Sequence, residues 1–176
     1  MLDEKRIKEA QSNIRSYLAE GLITKQNFEK KIFDVLSNNA HESLETANFL
    51  SKNNKSPLWI IVCSYYSMFY IANAVLYKIG YKVGDKISHK VTSDALIVFV
   101  KDKLKKSLIE NYEEVKEEAL LLAKNKAENL VENFDFEREK RSFIQYQTKE
   151  IEKYSKSQTS LNRAKEFMVE IEKLLL

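Results

Sequence analysis

Cysteine, proline, glycine and histidine are all scarce in this chain of 176 residues, which has one Cys, one Pro, three Gly and two His. The single cysteine, Cys63, has no partner for an internal disulfide. It sits in an apolar run, where a free thiol behaves as a small buried hydrophobe. His41 and His89 together with one cysteine do not supply the ligand sets of a zinc centre, so no metal is expected, and no cofactor. So little Gly and Pro excludes a β fold with many tight turns. A net charge of only +3 sets the chain apart from strongly basic nucleic-acid platforms. There is no glycine-rich loop to cradle phosphate, and no serine or cysteine nucleophile with a matching base. The opening MLDEKRIKEA is charged with no apolar stretch behind it, which argues against a secretory signal and makes the cytoplasm the expected location.

What is present is helix-forming material. Charged residues make up 31% of the chain and are interleaved with Leu, Ala and Ile at helical spacing. A chain of this length fits one domain, 1–176, at roughly 100–200 residues per domain. Such a domain buries about 70% of its unfolded surface and needs no crosslink for stability.

A first helix is expected from about Asp3 to Glu20, with Ile7, Ala10, Ile14 and Leu18 on one face and Gly21 as its stop. Thr24 is placed as the cap of a second stretch carrying Phe28, Ile32, Phe33 and Leu36, with a break at Asn38-Asn39. The pattern resumes with Leu44, Ala47 and Leu50 and ends in the polar turn at 51–56. Pro57 then opens the most apolar segment, which Gly80 closes, the favoured order for a helix start and stop. Ser56 to Tyr77 contains no charge over 22 residues, a length that can cross a bilayer. Tyr65, Tyr66, Tyr70, Tyr77, Ser64, Ser67 and Asn73 within it suit the central helix of a bundle better. On that helix the four tyrosines read as core residues rather than a base-stacking platform. Ser88 is placed as the cap of a short helix with Val91, Ala95, Leu96 and Phe99. A long helical region from Leu104 to Val131 follows, read as broken once. The closing helix runs from about Gln158, with Leu161, Ala164, Met168, Ile171 and Leu175 in one stripe. No alternating strand pattern is evident, and Lys101, Lys103, Lys105 and Lys106, interleaved with Asp102, read as a solvated face.

Three pieces of the chain resemble one family. CSYYSMFYIANAVLYKIGYKV followed by SHKVTSDAL is similar to the signature of prokaryotic HEPN proteins. In that signature a tyrosine-rich central helix leads through a glycine-containing turn to a histidine at the next helix start. ESLETANFLSKNNKSPLWIIV resembles the first core helix and the turn that follows it. EREKRSFIQY and SLNRAKEFMVEIEKLL resemble the late arginine motif and the closing helix. The likeness covers about His41 to Leu176 and leaves residues 1–40 as an N-terminal helical extension. It implies an all-α, up-and-down bundle, often dimeric, with a link to RNA or nucleotides. Many such proteins are metal-independent ribonucleases or toxins paired with a small nucleotidyltransferase.

The active motif of that family is an arginine followed, after four to six residues, by a histidine. Here Arg141 is followed after four residues by Tyr146. Metal-independent RNA cleavage needs a group that takes and returns a proton near neutrality, which histidine does with a pKa of about 6.5. Tyrosine, at about 10, is a poor base. Arg141 can hold a phosphate bidentately regardless of its neighbour. Arg138, Arg141 and Gln145 share a face if helical, whereas Arg141 and Tyr146 do not. The plain structural alternative pairs Glu137 with Arg141 and packs Tyr146 into the bundle. His89, at the expected start of a helix, is either an anion ligand or a structural partner of backbone or a bundle tyrosine.

The leading expectation is therefore a HEPN-like protein that binds RNA, a nucleotide or a nucleotidyltransferase partner, with Arg138, Arg141, Gln145 and His89 as ligand-binding candidates. The alternatives are a HEPN ribonuclease that uses Arg141 and Tyr146 as catalytic residues, and a helical dimer or scaffold without a ligand. A homodimer is expected in each case, and no membrane partner.

Overall fold

The computed structural model describes residues 2–135 and 143–175, with side chains described for 2–124 and 154–175. Among them the chain forms α1 (Glu4–Ala19), β1 (Ile23–Lys25), α2 (Lys30–Lys52), α3 (Pro57–Lys78), β2 (Tyr81–Val83), α4 (Ser88–Phe99), α5 (Lys106–Asp135) and α6 (Phe143–Lys173), with a 3-10 turn at Lys101–Lys103 before α5. It is an all-α helical bundle with a two-stranded ribbon at one side.

The centre of the bundle is α3, which packs against α2, α5 and α6 and touches α4. Pro57 occupies its first turn, where a missing N–H costs nothing. At the other end Gly80, at φ +93°, donates to the Tyr77 carbonyl and turns the chain out of the helix. Ile61, Tyr65, Met68, Ile71, Ala72 and Val75 bury into the main core. Helix α3 is long and apolar enough to cross a membrane, and 67% of its most apolar window is buried within the chain's own fold.

Helix α2 runs without interruption through Asn38-Asn39, so the expected break there is absent and the boundary placed at residue 40 falls inside a helix. Two intrinsically poor helix formers are overridden by packing, because Ala40 and Ala47 are wholly buried against neighbouring helices. Ser43, Thr46 and Asn48 also return hydrogen bonds to carbonyls one turn back, which removes their competition with the helix. Thr24 does not cap this helix; it lies in β1, and α2 starts five residues beyond that strand's last residue, after Glu29.

The segment at 1–40 is part of the fold. Asp3 caps α1 by accepting from the Arg6 N–H, and Gly21 ends it at φ +71°. Ala10, Ile14 and Tyr17 bury against the bundle, chiefly on α4. Strand β1 then pairs antiparallel with β2, with Ile23 opposite Val83 and Lys25 opposite Tyr81. Three-residue strands are too short to show an alternating pattern, which is why the ribbon is invisible in the sequence.

Helix α5 is a single helix, with Leu108, Ile109, Tyr112, Val115 and Ala119 as its buried stripe. Helix α6 begins at Phe143 rather than near Gln158. It buries Leu161, Ala164, Phe167, Met168 and Ile171, close to the expected stripe. Ser160 donates to Glu118, and Arg163 pairs with Glu114 at 2.7 Å, joining α6 to α5.

Candidate functional site

His89 occupies the first turn of α4, directly against the central helix. Its Nδ1 lies 2.7 Å from the Tyr65 hydroxyl, and its ring packs on Phe69, Tyr65 and Tyr66 with centroids 4.7, 5.4 and 6.0 Å away. Burial lowers the His89 pKa, and the nearby Lys116 charge lowers it further, so the imidazole is neutral at physiological pH. Burial also pushes the Tyr65 phenol well above its ordinary range, so it keeps its proton. The Tyr65 hydroxyl meets His89 Nδ1 on one side and interacts with the Tyr112 hydroxyl on the other. The 2.7 Å contact holds Nδ1 against Tyr65 and leaves Nε2 as the ring nitrogen without a partner among the described residues. His89 presents a neutral imidazole edge.

The four tyrosines of α3 do not share one environment. Tyr65 and Tyr77 are buried, as expected for core residues, whereas Tyr66 and Tyr70 are only half-buried. Tyr66 is in ring contact with Phe69 and Tyr70, and Phe69 with Tyr70, so these three side chains and His89 form one partly exposed aromatic cluster that joins the core through Tyr65. Behind it, Tyr112 is wholly buried. Its pKa is raised by burial and by the neighbouring Tyr65 hydroxyl.

The start of α4 is open. Ser88 is its first helical residue rather than its cap, and Ile87 stands at the cap position at φ +45° with no side-chain hydrogen bond to the helix. A β-branched residue in the left-handed region is unusual. The N–H groups of Ser88 and His89 make no hydrogen bond among the described residues, as the first turn of an uncapped helix leaves them. Lys86 and Lys90, on either side of His89 in the chain, are exposed and form no ion pair among the described residues.

The other side of α4 is a charge-lined seam that sequence reasoning missed. Asp94 is fully buried; its Oδ1 meets Arg6 Nη1 at 2.7 Å, while Oδ2 accepts from Asn13 at 2.9 Å and Tyr17 at 3.1 Å. Burial alone would lower the Arg6 pKa, but Asp94, with Glu113 and Glu9, together outweigh this and raise it. The Tyr17 phenol is pushed up to about 12, by burial first and by Asp94 next. Ser93 donates to Glu113 and receives Lys116 at 3.2 Å, and Lys116 pairs with Glu113 at 2.7 Å. The signal available in the sequence was one carboxylate, Asp94, inside the apolar run VTSDALIVF.

Of the remaining candidates, Arg138 and Arg141 lie outside the described residues, as does Glu137. Gln145 and Tyr146 fall in the first turn of α6, with side chains outside the described set. His41 is on α2, where it bonds the Ser37 carbonyl and Glu172, and it does not approach His89's cluster through any described contact. Lys101 pairs with Asp102, and Lys106 approaches Glu110 at 3.9 Å, as a solvated face would. Among the described residues no group of three or more His, Cys, Asp or Glu is placed to hold a metal. Burial raises the Cys63 pKa, so its thiol stays protonated.

No protein-family model matches the chain, and neither a curated protein nor a solved structure matches it.

Proposed function

We propose that the protein is a HEPN-like bundle that binds RNA or a nucleotide, holding phosphate with Arg138 and Arg141, and that it does not cleave what it binds. The observation that supports this reading is the contact between Tyr65 and His89. These two residues belong to separate parts of the pattern that resembles the family, the tyrosine-rich helix and the histidine at the next helix start. They meet at 2.7 Å across α3 and α4. The absence of cleavage follows from chemistry: Tyr146 stands where the motif needs a histidine, and a protonated phenol does not accept the 2′-hydroxyl proton at neutral pH.

The test is anisotropy of a fluorescein-labelled single-stranded RNA in buffer containing a chelator, with the same RNA run on a denaturing gel. Binding should weaken as salt rises. Arg141→Ala should weaken it about tenfold, the order expected for one lost charge-assisted phosphate contact. The RNA should stay intact. Metal-independent cleavage that disappears in Arg141→Ala would establish the ribonuclease instead. No RNA or nucleotide binding, with capture of a small nucleotidyltransferase, would assign a partner-binding role. Neither result, from a stable homodimer, would leave the scaffold.

A further inference from the structure

We infer that the half-buried aromatic cluster Tyr66, Phe69, Tyr70 and His89 is a nucleobase-stacking subsite, with Lys86, Lys90 and the open start of α4 receiving the attached phosphate. This assignment rests on the RNA or nucleotide reading above and gives the ligand a place of contact besides Arg138 and Arg141.

Four observations converge on it. First, α3 places Tyr66, Phe69 and Tyr70 on one side with their rings in mutual contact, and none of the three is fully covered. An incompletely buried run of aromatic faces suits bases, since every base has a π-face and stacking on aromatic side chains is tolerant of sequence. Second, His89 packs into that cluster through Phe69, and its Nδ1 is held from behind by Tyr65. Its Nε2 has no partner among the described residues and is suited to hydrogen-bond a base edge. Third, the cations beside it are unspent: Lys86 and Lys90 are exposed without ion pairs among the described residues, while Lys116 is already committed to Glu113 and Ser93. Fourth, the Ser88 and His89 N–H groups are open at the positive end of a twelve-residue helix, which favours an anion there. Asp85, also exposed and without an ion pair among the described residues, stands before Lys86, so Lys86, Lys90 and the helix start together leave a net positive end that an anionic aromatic ligand complements better than a neutral apolar one.

A base carrying a 5′-phosphate is supplied equally by a free nucleotide and by a single strand of RNA. Two probes separate these sources: adenosine monophosphate, followed by the NMR signals of the His89 imidazole, and a fluorescein-labelled ten-nucleotide single-stranded RNA, followed by anisotropy. The variants are Tyr66→Ala and Tyr66→Phe in the full chain, each checked for unchanged helical content. Tyr66→Ala should weaken binding of whichever probe the wild type binds by roughly tenfold, the order measured for loss of one stacking ring. Tyr66→Phe, which keeps the ring, should bind as the wild type does, and the His89 signals should move on titration. If the wild type binds a probe and Tyr66→Ala binds it equally well, the subsite is wrong and the RNA or nucleotide reading stands. If the wild type binds neither probe, both fall. A dimer that Tyr66→Ala dissociates, with probe affinity unchanged, would overturn the subsite in favour of a contact between copies.

Discussion

The two sides of α3 carry similar residues and face different surroundings. One side sets Tyr65, Met68, Ile71 and Val75 into the main core; the other sets Tyr66, Phe69 and Tyr70 at partial exposure around His89, with Phe69 and Tyr70 packing on the margin of that core. Both sides are aromatic and apolar, so composition does not distinguish them. What differs is exposure, since Tyr65 is buried against Tyr112 of α5 while Tyr66, Phe69 and Tyr70 keep part of their surface open, together with the charge nearby. A buried aromatic is accounted for by packing, whereas a ring left half-open beside unpaired lysines calls for a further explanation.

That contrast breaks first on the buried side. Met68→Ala empties a fully buried position and should cost about 3 kcal/mol, read as a lower urea midpoint with an unchanged slope. The polar seam should rank close behind. Arg6→Ala leaves the Asp94 carboxylate buried with only Asn13 and Tyr17, a loss of about 3 kcal/mol on the scale of broken buried pairs, discounted to roughly 2 because the Arg6 side chain is 24% exposed. A double variant with Asp94→Ala should lose less than the sum of the two singles.

Tyr65→Phe removes one hydroxyl from the boundary between the two sides. The expected cost is about 1 kcal/mol, with the His89 ring signals changed because Nδ1 has lost its hydrogen-bond partner. On the partly exposed side, Tyr66→Ala should cost at most about 1 kcal/mol while weakening ligand binding as described above. A stability loss larger than that of Met68→Ala would erase the distinction between the sides.

The smallest expected effect is on pH dependence. In the folded protein the His89 pKa lies below 6.5, depressed by burial and by Lys116, and in the unfolded chain it returns to that value. Between the two values the unfolded state binds the proton and the folded state does not, so stability rises with pH there and is lost on acidification. The wild type should therefore lose stability from just above its unfolded value downwards more steeply than His89→Gln. Urea midpoints measured over about pH 7 to 5 would show parallel curves if His89 were not held neutral.

Much of this arrangement was legible from residues alone. Pro57 and Gly80 marked the ends of α3, Gly21 marked the end of α1, and the stripe from Leu161 to Ile171 marked the core side of α6. These signals are local, and local chemistry decided them. Asn38-Asn39 misled because a weak local preference was outweighed by contacts that residues 40 and 47 make with distant helices. Tyr66 and Tyr70 were read with Tyr65 and Tyr77 as core. Their difference depends on where α4 to α6 lie, which spacing along one helix does not record. The Arg6–Asp94 pair spans 88 positions in the chain and left only a lone acid in an apolar run as its trace.

The central claim is that the partly exposed face of α3 and the start of α4 hold a nucleobase. Photo-crosslinking to a single-stranded RNA containing 4-thiouridine, followed by mass-spectrometric mapping of the adducts, tests it at the residue level. The account predicts adducts on Tyr66, Phe69, Tyr70 or His89, competed away by unlabelled RNA. Adducts confined to other surfaces, such as the outward residues of α2, or none at saturating RNA, would contradict it.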